Sequence, residues 1–268
     1  MNMKVLHDKK LFLLDMDGTI YLEDKLIDGA SEFIELLIKR DIDYVFLTNN
    51  SSKSAQEYLV KLEKLSIPAT IENVFTSGMA TALYLQNIKP GARIFVMGTE
   101  ALKQEFREYN FEIVEDGDSN IDYVVAGYDS ELTYEKLKIA TLYLADGVPF
   151  IATNPDLVYP MSKTRFLPDC GSMCQMLEIA TGKKPKYIGK PRREMVDVIA
   201  QRMNIDLSDI AMVGDRLYTD IALGINAGIT SICLLSGETK REDLATSEIK
   251  PDFVFESIAG LLTILRDK

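Results

Sequence analysis

The sequence predicts an α/β fold, with a doubly wound, mostly parallel sheet and a second α/β domain inserted into it. The first observation is that short apolar runs alternate with longer amphipathic runs along the whole chain. This alternation is typical of parallel strands covered by helices on both faces. The second observation is that polar residues suited to catalysis follow predicted strands near both ends of the chain. A single site assembled from both ends requires the residues between them to form an insertion.

The predicted strands are short runs rich in β-branched and other apolar residues, which favour an extended backbone. In chain order they span residues 11–14, 44–47, 93–97, 122–126, 149–152, 210–213 and 231–235. The predicted helices are longer segments whose apolar residues recur every three or four positions. They span residues 30–40, 54–65, 79–86, 100–109, 133–145, 172–180, 192–203 and 219–227. In the first of these helices, Phe33, Ile34, Leu37 and Ile38 form one apolar face.

We predict that residues 1–79 and 184–268 form a catalytic core and that residues 80–183 form an α/β cap. The middle segment has strands and helices of its own, so it is too large to be a loop. Ligands bind at the carboxyl ends of the strands in such sheets, and a site there needs a cover to exclude water. We therefore expect the cap to select the leaving group, and substitutions in 154–159 or 165–170 to change the ranking of substrates.

Composition and charge indicate a globular protein with an acidic surface. Of the 268 residues 47% are hydrophobic, and 30 Lys and Arg against 41 Asp and Glu give a formal charge of −11. This balance disfavours binding to nucleic acid or to anionic membranes, and no apolar stretch approaches the roughly 20 residues of a membrane-spanning helix. The three cysteines, Cys170, Cys174 and Cys233, form no disulfide framework. We expect a cytoplasmic protein, and the charge does not decide whether it forms a homo-oligomer.

Three aspartates follow predicted strands in positions that suit a divalent metal. Asp15 and Asp17 flank one residue after the first strand, and Asp215 comes just after the strand at 210–213. Carboxylates brought together repel each other unless a cation relieves them, and their oxygens are ligands that Mg²⁺ prefers. A carboxylate is also a feasible nucleophile toward phosphorus. A single aspartate at such a position could instead cap a helix, but three of them favour a site.

Two further segments supply groups that can hold a phosphate. Thr48, Asn49 and Asn50 follow the second strand and offer a hydroxyl, two amides and backbone N–H groups just before a helix. Lys190 precedes Pro191, which we predict to open the helix at 192–203. At that place the ammonium could neutralise both a phosphate and a nucleophilic carboxylate.

In order along the chain, these segments resemble the four motifs of haloacid dehalogenase-like (HAD) phosphatases. The matching segments are 15–19 (DMDGT), 48–50 (TNN), 189–191 (GKP) and 214–220 (GDRLYTD). In particular they resemble the branch of NagD-type and 4-nitrophenylphosphatase-type enzymes, and residues 153–156 (TNPD) resemble a cap segment of that branch. The resemblance spans nearly the whole chain and implies a Rossmann-like core with a large α/β cap inserted after the second motif.

The resemblance also implies the roles of the first two motifs. Asp15 would be the nucleophile and a ligand of Mg²⁺. Asp17 would be the general acid and base, and its backbone carbonyl would contact the metal. Thr48, Asn49 and the backbone of Asn50 would bind the phosphoryl group that is transferred.

The last two motifs supply the remaining groups that the resemblance implies. Lys190 would pair with the phosphoryl group and with Asp15. Asp215 would be a further ligand of Mg²⁺. Asp220 would hold metal-bound water or orient its neighbours.

The predicted function is Mg²⁺-dependent hydrolysis of small phosphate monoesters, such as 4-nitrophenyl phosphate, sugar phosphates or nucleotides, through an aspartyl-phosphate intermediate. The expected partner is therefore a small phosphorylated metabolite. Two alternatives use the same residue types: a phosphomutase, and a phospho-accepting signalling module, although such modules are about half this length. His7 is the only histidine and precedes the first strand, so a Ser/His/Asp or Cys/His triad is not expected.

Overall fold

The structure is a computed structural model that describes residues 3–115, 120–162 and 165–267. In chain order its strands are β1 (Leu11–Asp15), β2 (Tyr21–Leu22), β3 (Lys25–Leu26), β4 (Asp43–Thr48), β5 (Val74–Thr76), β6 (Arg93–Met97), β7 (Glu112–Ile113), β8 (Tyr123–Ala126), β9 (Phe150–Ala152), β10 (Val158–Ser162), β11 (Arg165–Pro168), β12 (Lys186–Tyr187), β13 (Ile210–Gly214), β14 (Thr230–Leu234) and β15 (Phe253–Phe255). Its α-helices are α1 (Lys4–His7), α2 (Ala30–Lys39), α3 (Ala55–Lys64), α4 (Ser77–Ile88), α5 (Glu100–Glu108), α6 (Tyr134–Ala145), α7 (Cys170–Thr181), α8 (Glu194–Met203), α9 (Ala222–Ala227), α10 (Arg241–Thr246) and α11 (Ile258–Arg266).

The chain divides into two compact units. Unit 1 consists of Met1–Thr48, Ala55–Phe75 and Lys190–Lys268, and unit 2 consists of Asn49–Ser54 and Thr76–Gly189. The unit boundaries therefore fall a few residues away from the predicted 79/80 and 183/184. The short segment 49–54 belongs to unit 2, and its side chains and carbonyls hydrogen-bond to that unit.

Unit 1 is built on a six-stranded sheet in the order β15-β14-β13-β1-β4-β5. The pairs from β15 to β4 are parallel, and the register places Asp15 beside Leu47 of β4 and Leu14 beside Val213 of β13. The first four residues of β1 are fully buried, as expected for a central parallel strand covered on both faces. This register brings the carboxyl ends of β1, β4 and β13 to the same edge of the sheet.

Helix α2 covers this sheet with the apolar face that its sequence pattern predicts, with one exception. Phe33, Ile34 and Leu37 are fully buried, whereas Ile38 is 50% exposed. Phe33 packs edge-on against Phe12 of β1, with ring centroids 5.6 Å apart. The apolar stripe is therefore narrower than predicted, and Ile38 lies at its margin.

Unit 2 has a five-stranded sheet in the order β12-β9-β8-β6-β7, in which each neighbouring pair is parallel. Its core includes Val124 of β8, Ile139 and Leu144 of α6, and Cys170 and Cys174 of α7. Strands β10 and β11 form a separate antiparallel pair. Unit 2 is thus an α/β body with a core of its own.

The predicted fold class is confirmed, and seven of the observed strands overlap the predicted ones. Helices α1, α10 and α11 were not predicted, nor were strands β2, β3, β5, β7, β10, β11, β12 and β15. Pro191 lies in a turn and α8 begins at Glu194, so the prediction that Pro191 opens the helix was wrong. Among the described residues no helix is both long and apolar enough to cross a membrane.

Candidate active site

Three aspartates of unit 1 bring carboxylate oxygens within 4.8 Å of one another. Asp15 ends β1, Asp215 directly follows β13, and Asp220 lies in the π-helical turn Leu217–Ile221. Asp220 is fully buried and Asp215 is 2% exposed, while the Asp15 side chain is 14% exposed. Two strands and one turn therefore assemble a compact acidic cluster, and only Asp15 is appreciably open to solvent.

The ammonium of Lys190 lies between two of these carboxylates. Its Nζ donates to Oδ1 of Asp15, and it donates to Oδ1 of Asp220 over 2.7 Å. The other oxygen of Asp220 accepts from the backbone N–H of Arg216 over 3.1 Å. Asp220 is thus fixed by the local backbone and in turn fixes the ammonium beside Asp15.

Burial and neighbouring charges shift the pKa values of these groups in consistent directions. Burial lowers the pKa of Lys190, but Asp15 and Asp220 outweigh burial, so its pKa is raised and the ammonium stays protonated. Burial raises the pKa of Asp15 to about 8, although Lys190 opposes the shift. Burial and the charge of Asp220 raise the pKa of Asp215 to about 6. Both carboxyl groups are therefore harder to ionise than usual, and a further cation bound beside them would favour their ionised forms.

The donor set fits a hard divalent cation such as Mg²⁺. One oxygen of Asp215, Oδ2, accepts from the backbone N–H of Glu238 over 2.6 Å. The other, Oδ1, is buried and has no hydrogen-bond partner within the described part of the chain. A buried carboxylate oxygen without a partner is costly unless something binds it. The carboxylates of Asp15 and Asp220 lie beside it, and carboxylate oxygen is the ligand type that Mg²⁺ prefers.

A loop that the sequence did not single out holds Asp215 in place. Besides the Glu238 contact, the backbone N–H of Thr239 donates to the Asp215 carbonyl over 3.1 Å. The side chain of Glu238 also pairs with Arg216, with 3.1 Å between Nε and Oε2. This loop directly follows β14, so the general rule that sites lie at strand ends is the signal that could have found it. Arg216 lies within the segment 214–220 that was singled out, but it received no predicted role.

Gly237 in this loop leaves no room for a larger residue. A Cβ atom at this position would lie 1.9 Å from Oδ2 of Asp215. We expect Gly237→Ala to displace the carboxylate and to weaken Mg²⁺ binding by about 10- to 100-fold, as is typical when a partner of a metal ligand is lost. Calorimetric titration with Mg²⁺ measures the effect. Gly260→Ala is the control, because its nearest contact would be an ordinary 3.4 Å; equal Mg²⁺ affinity in both variants would contradict the assignment.

The other predicted site residues are distributed over both units. Asp17 is exposed and does not belong to the three-acid cluster of the described residues. Thr48 ends β4, one residue beyond the Leu47 that pairs with Asp15, and is half-buried. Asn49 and Asn50 belong to unit 2.

Comparison with known proteins identifies the class of protein. Residues 12–112 match the family described as haloacid dehalogenase-like hydrolase, and residues 187–261 match the one described as HAD-hydrolase-like. The chain belongs to the haloacid dehalogenase-like hydrolases, and it is an enzyme of the phosphatase class.

Particular relatives place it within that family. The chain is 39% identical over 249 residues to an acid sugar phosphatase of Staphylococcus haemolyticus, a match that covers 93% of this chain and 94% of the relative. It is similar to the crystal structure of 4-nitrophenylphosphatase from Thermotoga maritima, with a TM-score of 0.92, 45% identity, and coverage of 97% and 99% of the two chains. It is also similar to NagD from Escherichia coli K-12, with a TM-score of 0.86, 30% identity, and coverage of 94% and 97%. The predicted resemblance to the NagD and 4-nitrophenylphosphatase branch is confirmed.

Proposed function

We propose that this chain is a Mg²⁺-dependent phosphatase that hydrolyses small phosphate monoesters, such as 4-nitrophenyl phosphate, sugar phosphates or nucleotides, through an aspartyl-phosphate intermediate. The observation that carries the proposal is the buried cluster in which Lys190 bridges Asp15 and Asp220 beside the unpartnered oxygen of Asp215. The names of the relatives, 4-nitrophenylphosphatase and acid sugar phosphatase, support phosphate monoesters as the substrate class. The role of residues 80–183 in selecting the leaving group and the cytoplasmic location remain predictions.

The charges of the cluster support a role for a divalent cation. Asp15 must be ionised to attack phosphorus, and with all three acids ionised they face only the two cations Lys190 and Arg216. That state has one net negative charge, which repels a phosphate dianion. Asp15 and Asp215 would hold the cation, and Asp220 would act through Lys190. When bound, Mg²⁺ would neutralise the phosphoryl oxygens and orient the group for attack.

The residues of the chain would divide the chemistry into two steps. A carboxylate oxygen of Asp15 attacks phosphorus, the ester P–O bond breaks, and Asp17 protonates the departing oxygen. Asp17 then takes a proton from water, whose oxygen attacks the phosphorus of the aspartyl-phosphate, so that inorganic phosphate leaves and Asp15 is restored. Thr48, Asn49 and Asn50 would hold the phosphoryl oxygens through both steps.

Phosphate release from a panel of monoesters tests the proposal. We expect turnover of 4-nitrophenyl phosphate with Mg²⁺, background rates in excess chelator, and recovery when Mg²⁺ is returned. Mg²⁺ should also raise the thermal midpoint of the substrate-free protein, because a ligand of the folded state stabilises it. The Asp215→Asn variant should lose most of this shift. Full turnover in excess chelator would rule out the metal assignment, and a transfer of phosphate within the substrate without release would indicate a phosphomutase.

A further inference from the structure

Residues 49–54 follow β4 directly in the chain, but unit 2 holds them. The backbone carbonyl of Asn49 accepts from Oγ of Ser77 over 2.6 Å. The hydroxyl of Ser51 lies 2.9 Å from that of Thr153, and both residues are buried. The segment that carries two of the predicted phosphoryl-binding residues is therefore anchored by the body that was predicted to serve as the cap.

The amide of Asn49 is oriented by a carboxylate of the same unit. Its Nδ2 donates to Oδ2 of Asp156 over 3.0 Å. An ionised carboxylate can only accept hydrogen bonds, so it selects the nitrogen end of the amide and turns the oxygen away. The amide oxygen occupies space that a side chain at position 189 would need. A Cβ atom built on Gly189 would lie only 2.7 Å from Oδ1 of Asn49. Asp156 therefore selects the orientation of this amide, and Gly189 leaves the room that the amide needs.

Asp156 is itself fixed by a buried network. The amide nitrogen of Asn154 donates to the same Oδ2 over 3.3 Å and to Oδ1 of Asp169 over 3.1 Å. Asn154 is fully buried and Asp169 is 3% exposed. Asp169 also caps the start of α7 by accepting from the backbone N–H of Cys170. The carboxylate of Asp156 that orients Asn49 is thus held in place by buried residues of unit 2.

We propose that Asp156 is a positioning residue for phosphoryl transfer, acting through the amide of Asn49. This inference rests on the proposed function, in which Asn49 binds the phosphoryl group. It also changes what is expected of segment 154–159, because a residue that acts on the phosphoryl group affects all substrates alike. A contact with the leaving group would instead change their ranking.

The test compares Asp156→Ala, Asn49→Ala and the double variant on several monoesters. We expect Asp156→Ala to lower kcat/KM by about 10- to 100-fold, the scale of a misplaced binding group, and by the same factor for each substrate. The double variant should lose no more than Asn49→Ala alone, because the two residues act as a unit. Asp156→Asn should recover most of the activity, since its amide oxygen can accept both hydrogen bonds that Oδ2 now accepts.

Asp129→Ala is the matched control, because Asp129 is a buried carboxylate of unit 2 that pairs with Lys136 over 2.9 Å. It should lower the thermal midpoint without changing kcat/KM. If Asp156→Ala does not fold, Asp156→Ser replaces it, since its shorter side chain does not span the distance to Asn49. Independent, multiplicative losses in the double variant, or a changed substrate ranking, would overturn the proposal. The proposed function is checked separately by wild-type turnover and its loss in Asp15→Asn.

Discussion

Replacing Asp15 with Asn is expected to reduce phosphate release to background while the protein stays folded. An amide cannot attack phosphorus, so no aspartyl-phosphate forms. The fold should tolerate the change, because Asn has nearly the same shape and the pKa of about 8 shows that burial already disfavours the ionised carboxylate. Thermal unfolding and release of inorganic phosphate, measured on the same preparation, separate the two effects.

Asp17→Asn is the matched variant, because it changes the other carboxylate of the same motif. Loss of general acid and base help typically slows turnover by about 10²- to 10⁴-fold. The aspartyl-phosphate should then accumulate, and intact mass and peptide mapping after acid quench should find the phosphoryl group on Asp15. A phosphoryl group on any other residue, or unchanged turnover in Asp15→Asn, would contradict this order of roles.

The sequence predicted the parts of the site that depend on local patterns. Asp15 and Asp215 lie at the ends of runs of apolar residues, and such runs are typical of buried parallel strands. Because the carboxyl ends of parallel strands lie at one edge of the sheet, strand assignment places both residues at that edge, and the pairing of β1 with β13 then makes them neighbours. The side-chain roles come from the resemblance to the family and remain proposals.

The parts that the sequence did not reveal depend on contacts between distant segments. The resemblance implied that Lys190 pairs with Asp15, 175 positions away, but no residue pattern indicated that the same ammonium also pairs with Asp220. The Glu238 loop was missed because its contribution is a backbone N–H, which any residue except proline could supply. The hydrogen bond between Asn49 and Asp156 was also missed, because the sequence does not indicate which amide contacts which carboxylate.

Replacing Lys190 with Met is expected to abolish turnover and to destabilise the protein as well. The side chain is 4% exposed and holds two carboxylates together. Removing one partner of a buried ion pair leaves an uncompensated charge, which typically costs about 3–5 kcal/mol of the free energy of unfolding. Denaturant unfolding in the presence of chelator measures this loss without help from a metal ion.

The loss of unfolding free energy in Lys190→Met should grow with pH above the wild-type pKa of Asp15. In the wild type this pKa is raised to about 8, so between its unfolded value and pH 8 the folded state binds more protons and stability falls as pH rises. Above about pH 8 the wild-type carboxylate ionises beside Lys190, whose own raised pKa keeps it charged, and this decline ends. Without the ammonium the pKa of Asp15 rises further, so the variant continues to lose up to about 1.4 kcal/mol per pH unit.

Lys136→Met is the control for this prediction, because Lys136 pairs with the buried carboxylate of Asp129 in unit 2. It should also lower the free energy of unfolding, but kcat/KM should stay at the wild-type value. Loss of stability without loss of activity is the signature of a structural ion pair, whereas Lys190 should show both. If Lys190→Met retained turnover, or if its destabilisation were equal at about pH 6 and about pH 9, the ammonium would not be the group that favours the ionised form of Asp15.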